Sequence, residues 1–173
     1  MSELIKVKIF GKYVFYYLPN DRYLGQRIAL EKYEPYETKL ILRQVKTGDM
    51  VVDVGANIGY YTILLADKVG KTGKIYAFEP DKLNFEIMVK NIKANKLKNV
   101  IAVNAAAGSK PEKLKLYKSK ENFGDHKLYG KDSEVEEVKI TRLDDYFKNK
   151  KIDLIKIDTQ GWEPEVIEGA KEI

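Results

Sequence analysis

VVDVGANIGYYT, residues Val51–Thr62, runs from an apolar stretch through an aspartate and two glycines into a helix-like segment. An apolar run this short, without polar alternation, predicts a strand buried on both faces, as at the centre of a parallel sheet. The neighbouring segments repeat the rhythm. "GKIYAFEP" is a second strand, ended by Pro80. "DKLNFEIMVKNIKANKL" is a helix with Leu83, Ile87 and Ile92 apolar and Lys90, Asn91 and Lys93 solvated. "NVIAVNAAAG" is a third strand, and "KIDLIKIDTQGWEPEVIEGA" supplies a fourth followed by a helix. Strands alternating with helices predict a parallel sheet with crossover helices on its faces.

Upstream, "YEPYETKLILRQVKTGD" reads as a helix with Pro35 near its start and Leu40, Ile41 and Val45 on one face. "IKVKIFGKYVFYYL" reads as a hairpin turning at Gly11 and Lys12, its tyrosines serving as strand packing faces. "EKLKLYKS" and "EVEEVKITRLDDYF" alternate charged and apolar residues and are expected to pair as half-exposed strands. The predicted fold is α/β: a Rossmann-like, doubly wound, mainly parallel sheet with an N-terminal β-hairpin. With no repeat, linker or low-complexity tract, residues 1–173 are expected to form one domain, 1–32 being hairpin and turn and 33–173 the core.

Composition narrows the function classes. Cysteine is absent, which excludes disulfides, thiolate metal sites and a cysteine nucleophile. With one histidine and no acidic loop motif, no metal site is expected. No apolar run reaches the length of a membrane span, and "MSELIKVKIFGKY" lacks the features of a signal peptide, so a cytoplasmic protein is expected. The net charge of +5 comes mostly from lysine; arginine occurs only at Arg22, Arg27, Arg43 and Arg142. Lysine is a solvated point charge, so the excess reads as a soluble surface rather than a nucleic-acid footprint.

Ligands of open parallel sheets bind beyond the carboxyl ends of the strands. Those ends carry Asp53 and Gly55–Gly59, then Glu79 and Pro80, then Asn104 and Ala105, and finally Asp158 and Gly161. Gly55 and Gly59 leave backbone bare for close approach. Asn57 stands where a dinucleotide fingerprint has its second glycine, and Asp53 is a poor neighbour for phosphate. A positively charged, phosphate-free nucleoside fits better. Glu79, twenty residues after Gly59, is spaced to accept hydrogen bonds from ribose hydroxyls.

These features resemble motif I and the following acidic position of class I S-adenosylmethionine-dependent methyltransferases, and more narrowly the FkbM family. The resemblance rests on "YEPYE", "GDMVVDVGANIGYYT", "YAFEPDKLNFEIMVKNIKAN", "VNAAAG", "VKITRLDDYF" and "IDLIKIDTQGWEPEVIEGA", in the family's order. It implies S-adenosylmethionine as cofactor and methyl transfer to a hydroxyl of a small molecule or sugar. It also implies a cofactor set: Asp53 near the methionine part, the Gly55, Ala56, Asn57, Gly59 and Tyr60 segment along it, and Glu79 on the ribose. Pro80 would lie beside the adenine, Asn104 and Ala105 would line its pocket, and Glu37 would help close the site.

Asp158 is expected to contact the cofactor's amino acid end or the acceptor, and is a candidate general base. The family more often has glutamate where Gln160 stands, which leaves acid–base chemistry there open. His126, beside Asp125, is the second candidate base. Trp162 either walls the acceptor pocket or packs. A sulfonium donor can also react through alignment alone, without a dedicated base.

The full methyltransferase sheet has seven strands, and only four parallel ones are legible here. The chain is expected to be C-terminally truncated, or else to cover its fourth strand with a second copy in a homo-oligomer or with its own extra strands. Cofactor binding is expected to be better preserved than catalysis. RNA or protein acceptors, and a non-catalytic cofactor-binding subunit that needs a partner, are the competing readings.

Overall fold

A computed structural model describes residues 3–119, 126–128 and 134–173. Strands β1 (Ile5–Ile9) and β2 (Tyr13–Tyr17) form an antiparallel hairpin. Helices α1 (Gly25–Ala29) and α2 (Pro35–Gln44) lead into β3 (Met50–Val54), α3 (Tyr60–Val69), β4 (Lys74–Phe78), α4 (Lys82–Ala94) and β5 (Val100–Val103). Then come β6 (Ala106–Ala107), β7 (Glu112–Lys118), β8 (Glu134–Thr141), α5 (Leu143–Tyr146), β9 (Leu154–Ile157) and α6 (Glu163–Glu168).

The central sheet has the order β5-β4-β3-β9, and every pair in it is parallel. Both faces are covered, which is why β3 and β4 read as near-continuous apolar runs. Val51 and Ile75 pack on the side of α3, with Ile63 and Leu65. Val52, Val54, Tyr76 and Phe78 pack on the other side against Leu143, Phe147 and Val166 of the α5–α6 region. The doubly wound α/β expectation therefore holds.

Several local readings change. The 21–30 stretch contains a short helix, α1, where only a turn is legible in sequence. "NVIAVNAAAG" is not one strand: it breaks at Asn104 and Ala105, and β6 joins a separate sheet of order β6-β8-β7. In "EVEEVKITRLDDYF" the strand ends at Thr141 and Leu143 begins a helix. Ile41 of α2 and Val45 just after it turn inward as expected, but Leu40 is 62 % exposed and Thr38 is buried on that face.

Asn91, read as solvated, is fully buried. Its Nδ2 donates to the carbonyls of Tyr16 and Ile58, and its Oδ1 accepts from Tyr16 N at 2.6 Å. One helical turn on, Asn95 does the same to the N–H and C=O of Val14. Two side-chain amides at i, i+4 thus replace a strand partner along the outer edge of β2. This pins the hairpin to α4.

The β9 strand pairs with β3 on one side and with no other strand among the described residues. The hairpin and the three-stranded sheet lie elsewhere, so neither adds a strand beside β9.

Candidate active site

The ends of β3, β4 and β9 open into one crevice of about 290 Å³. Its floor is the turn after β3. Gly55 and Gly59 both have positive φ, +75° and +90°. A Cβ on Gly55 would lie 1.9 Å from the Asp158 carbonyl oxygen, and one on Gly59 would lie 3.0 Å from Met88 Cγ. The two glycines are thus required by close internal packing as well as by backbone dihedral.

Glu79, at the end of β4, is 5 % exposed and braces this turn. Its Oε2 accepts from Asn57 N at 2.7 Å and its Oε1 from Asp81 N at 2.9 Å. Burial pushes the carboxyl up to about 8, with those two N–H groups pulling the other way. A carboxylate has about four lone-pair sites, so two remain for a ligand. Asn57 itself has φ +50°, and its Oδ1 accepts from Ile58 N at 2.7 Å. The N–H groups of Asn57 and Ile58, which a phosphate would use at a helix start, are therefore taken by protein oxygens.

At the far side of the turn sits an ionic cluster. Asp53 is fully buried and its Oδ2 accepts from Thr62 Oγ1 at 2.6 Å. In the sheet register Asp53 stands opposite Lys156, whose Nζ lies 3.3 Å from Asp53 Oδ1. The same ammonium is 3.4 Å from the Gly55 carbonyl, 3.8 Å from Asp158 Oδ2 and 5.0 Å from the centre of the Tyr61 ring. Burial pulls the Lys156 pKa down, but Asp53 and Asp158 outweigh it and hold the pKa above the ordinary value. Glu34 joins the cluster's field and accepts from Tyr61 Oη at 2.7 Å. Burial and the Glu34 charge push the Tyr33 and Tyr61 phenols upward, so both stay neutral.

Of the residues singled out in sequence, Gly55, Ala56, Asn57, Tyr60, Glu79, Pro80, Asp158 and His126 line the crevice together. Asp53 lies just beneath it. Glu37 does not reach it: that residue is exposed, whereas Glu34, one turn earlier, lines the wall. Asn104 is exposed and donates to the carbonyls of Glu79 and Pro80, while Ala106 and Ala107, not Ala105, face the crevice. Trp162 both lines the crevice and packs, its Nε1 donating to the Ala107 carbonyl at 3.1 Å. Glu163 binds the N–H groups of Thr159 and Gly161, which outweigh its burial and hold its carboxyl below the ordinary value.

His126 Nδ1 accepts from Ser119 N at 3.0 Å, and Nε2 faces Asp81 Oδ2 at 3.9 Å. In the neutral ring that places the proton on Nε2 and engages the basic nitrogen with backbone. Asp125, its expected neighbour, lies outside the described residues. Sequence reasoning missed Glu34 and Lys156. The signal for Lys156 is visible afterwards: a lysine inside the apolar run "LIKI", two residues before Asp158 and so on the same face.

Among the described residues no helix is long and apolar enough to cross a membrane. The chain resembles curated and solved proteins over parts of its length. It is 27 % identical to methyltransferase sdnD of Sordaria araneosa over 168 residues, covering 76 % of this chain and 64 % of that protein. It is 46 % identical over 57 residues to the tRNA(Phe) (4-demethylwyosine(37)-C(7)) aminocarboxypropyltransferase of Methanocaldococcus jannaschii, covering 33 % of this chain and 22 % of that enzyme. Among solved structures, M. jannaschii TYW2 in complex with AdoMet superposes with a TM-score of 0.47 at 29 % identity, covering 60 % of this chain and 43 % of that one. The chain spans between 22 % and 64 % of the length of the curated relatives it matches. The presence of a tRNA-modifying enzyme among them withdraws support from the expectation that nucleic acid is an improbable partner. The family model of the methyltransferase FkbM domain matches residues 53–173, from the buried aspartate of the β3 turn through α6, and the chain belongs to that family.

Proposed function

We propose that the crevice binds S-adenosylmethionine and that the protein transfers its methyl group to a hydroxyl of a small molecule or sugar. The observation that carries the cofactor reading is the state of the β3 turn. Its N–H groups are taken by Glu79 and Asn57 oxygens, which disfavours phosphate, while Glu79 keeps acceptor sites for ribose hydroxyls. Across the turn, Asp53, Asp158 and Glu34 surround a single lysine, an excess of negative charge suited to a net cationic ligand. When bound, S-adenosylmethionine supplies an electrophilic methyl group on a sulfonium.

The chain's own residues would hold and align. Glu79 would fix the ribose, and Asp53 with Asp158 would balance positive charge at the other end. Asp158, with its side chain 38 % exposed, can reach an acceptor proton. His126 would first have to release Ser119 N, so Asp158 is the better placed acceptor-side group. Family membership supports methyl transfer, and the hydroxyl acceptor rests on the sequence resemblance. A second reading, an RNA acceptor, is favoured by the tRNA-modifying relative. Calorimetric titration with S-adenosylmethionine and S-adenosylhomocysteine, alongside Glu79→Ala, tests the cofactor reading. Binding that weakens sharply in the variant supports it; absence of binding to folded protein overturns it. A steep loss of affinity for unstructured RNA with added salt would favour the second reading.

A further inference from the structure

Lys156 is the buried charged group in the crevice that the proposed chemistry leaves without a task. A cation is a costly neighbour for a sulfonium cofactor, and three nearby carboxylates would bind a cationic ligand more strongly without it. Asp53 and Asp158 already pair with it, yet the ammonium also lines the crevice, where an anionic group of the ligand can meet it.

The geometry supplies one opening. An ammonium has three protons. One goes to the Gly55 carbonyl at 3.4 Å, and the ammonium forms an ion pair with Asp53 Oδ1 at 3.3 Å that is not a formed hydrogen bond. At least one proton is left for a ligand: Asp158 Oδ2 stands 3.8 Å away, and the Tyr61 ring offers only its face at 5.0 Å. The Lys156 side chain is 12 % exposed and lines the crevice. Its two existing contacts are longer than charge-assisted bonds commonly are, so the ammonium is held without being saturated.

The position along the crevice fixes what the partner is. Glu79 ends β4, Lys156 and Asp158 end β9, and β3 with its bare-backbone turn lies between them. A nucleoside held at Glu79 that crosses Gly55 delivers its 5′ substituent to Lys156. We infer that Lys156 binds the carboxylate of the cofactor's amino acid moiety, while Asp53, Asp158 and Glu34 balance its ammonium and sulfonium. This inference rests on the cofactor reading above. Lys156 is then a specificity-determining residue that selects the intact zwitterionic amino acid over a decarboxylated or truncated cofactor.

The test uses three ligands on wild-type protein and on Lys156→Met, read by calorimetry. S-Adenosylhomocysteine carries both charged groups, S-adenosyl-3-thiopropylamine lacks only the carboxylate, and 5′-methylthioadenosine lacks the whole amino acid end. Wild type is expected to bind the homocysteine compound roughly ten- to a hundredfold more tightly than the amine, the range of one charge-assisted bond. In Lys156→Met that gap should close, with affinity for methylthioadenosine unchanged. Equal affinity of wild type for the first two ligands overturns the inference without need of the variant. So does a variant that weakens all three alike, because that is a structural effect. Failure of wild type to bind any of the three overturns the cofactor reading and this inference with it, whereas methylthioadenosine binding without discrimination overturns the inference alone.

Discussion

Glu79 braces the β3 turn with the same carboxyl group that the proposed cofactor reading assigns to the ribose. Both its oxygens hold backbone N–H groups, yet burial raises its pKa from 4.5 to about 8. The sign follows from linkage. Between about 4.5 and 8 the folded state keeps a proton that the unfolded chain has lost, so this group's contribution to stability falls as pH rises through that window. Binding of a ribose runs the other way, because hydroxyl donors favour the ionised carboxylate. Affinity for adenosine, which has no group titrating there, should rise with pH up to about 8, by at most roughly tenfold per unit, and then level off. Glu79→Ala should bind weakly and without that slope; calorimetry at pH 6, 7, 8 and 9 decides it. Gly55 makes a second prediction at this scale. Its positive φ, and an Asp158 oxygen only 1.9 Å from where a Cβ would stand, leave no room for alanine. Gly55→Ala should lose about 3 kcal/mol or more in urea denaturation, whereas Gly59→Ala, facing a flexible methionine, should lose about half that.

Among the elements, the joint between β2 and α4 matters most for what the hairpin can do. Asn91 and Asn95 occupy four backbone groups of Val14 and Tyr16, and α1 packs against the hairpin's strands. Asn91→Leu leaves the N–H and C=O of Tyr16 and the Ile58 carbonyl without their partner. It should destabilise the protein by about 2–4 kcal/mol. Hydrogen exchange should quicken at the Tyr16 amide well before the amides of β3 and β4; uniform protection would contradict this account. The same joint shows why sequence reading succeeds in some places and fails in others. The Val51–Gly59 segment is legible because an apolar run, a turn and a helix start are all local. Asn91 is not, because its partner Tyr16 lies 75 positions away and makes a polar residue a core residue. Leu40 fails the opposite way: helical periodicity marks a face but does not say which neighbours reach it. In the site, the place of Glu79 at the crevice follows from spacing, whereas the pairing of Lys156 with Asp53 needs the β3–β9 register that sets them opposite each other. Glu37 and Glu34 are indistinguishable as acids in the sequence, and only the left-handed turn at Glu34, φ +41°, swings the earlier one into the crevice.

At the scale of the molecule, the crevice is assembled from parts far apart in sequence. Tyr23, Leu24, Tyr33 and Glu34 come from the segment after the hairpin, Ala106, Ala107 and Leu116 from the second sheet, His126 and Leu128 from between β7 and β8, and others from the ends of β3, β4 and β9 and the starts of α3 and α4. A ligand that touches all of these bridges segments far apart in sequence. Binding only to the folded state stabilises it by about 2.7 kcal/mol at a ligand concentration a hundred times Kd. For a chain of this length that shifts Tm by roughly 5–10 °C. The distribution of the effect is the sharper prediction. S-Adenosylhomocysteine should slow amide exchange at residues 23–34 and in the turn after β3, because both border the crevice. The β1–β2 hairpin, held by Asn91 and Asn95 and absent from the crevice wall, should exchange at an unchanged rate. Protection confined to residues 53–81 would mean that the N-terminal segment does not share in binding. The acceptor side of the site would then have to be sought elsewhere.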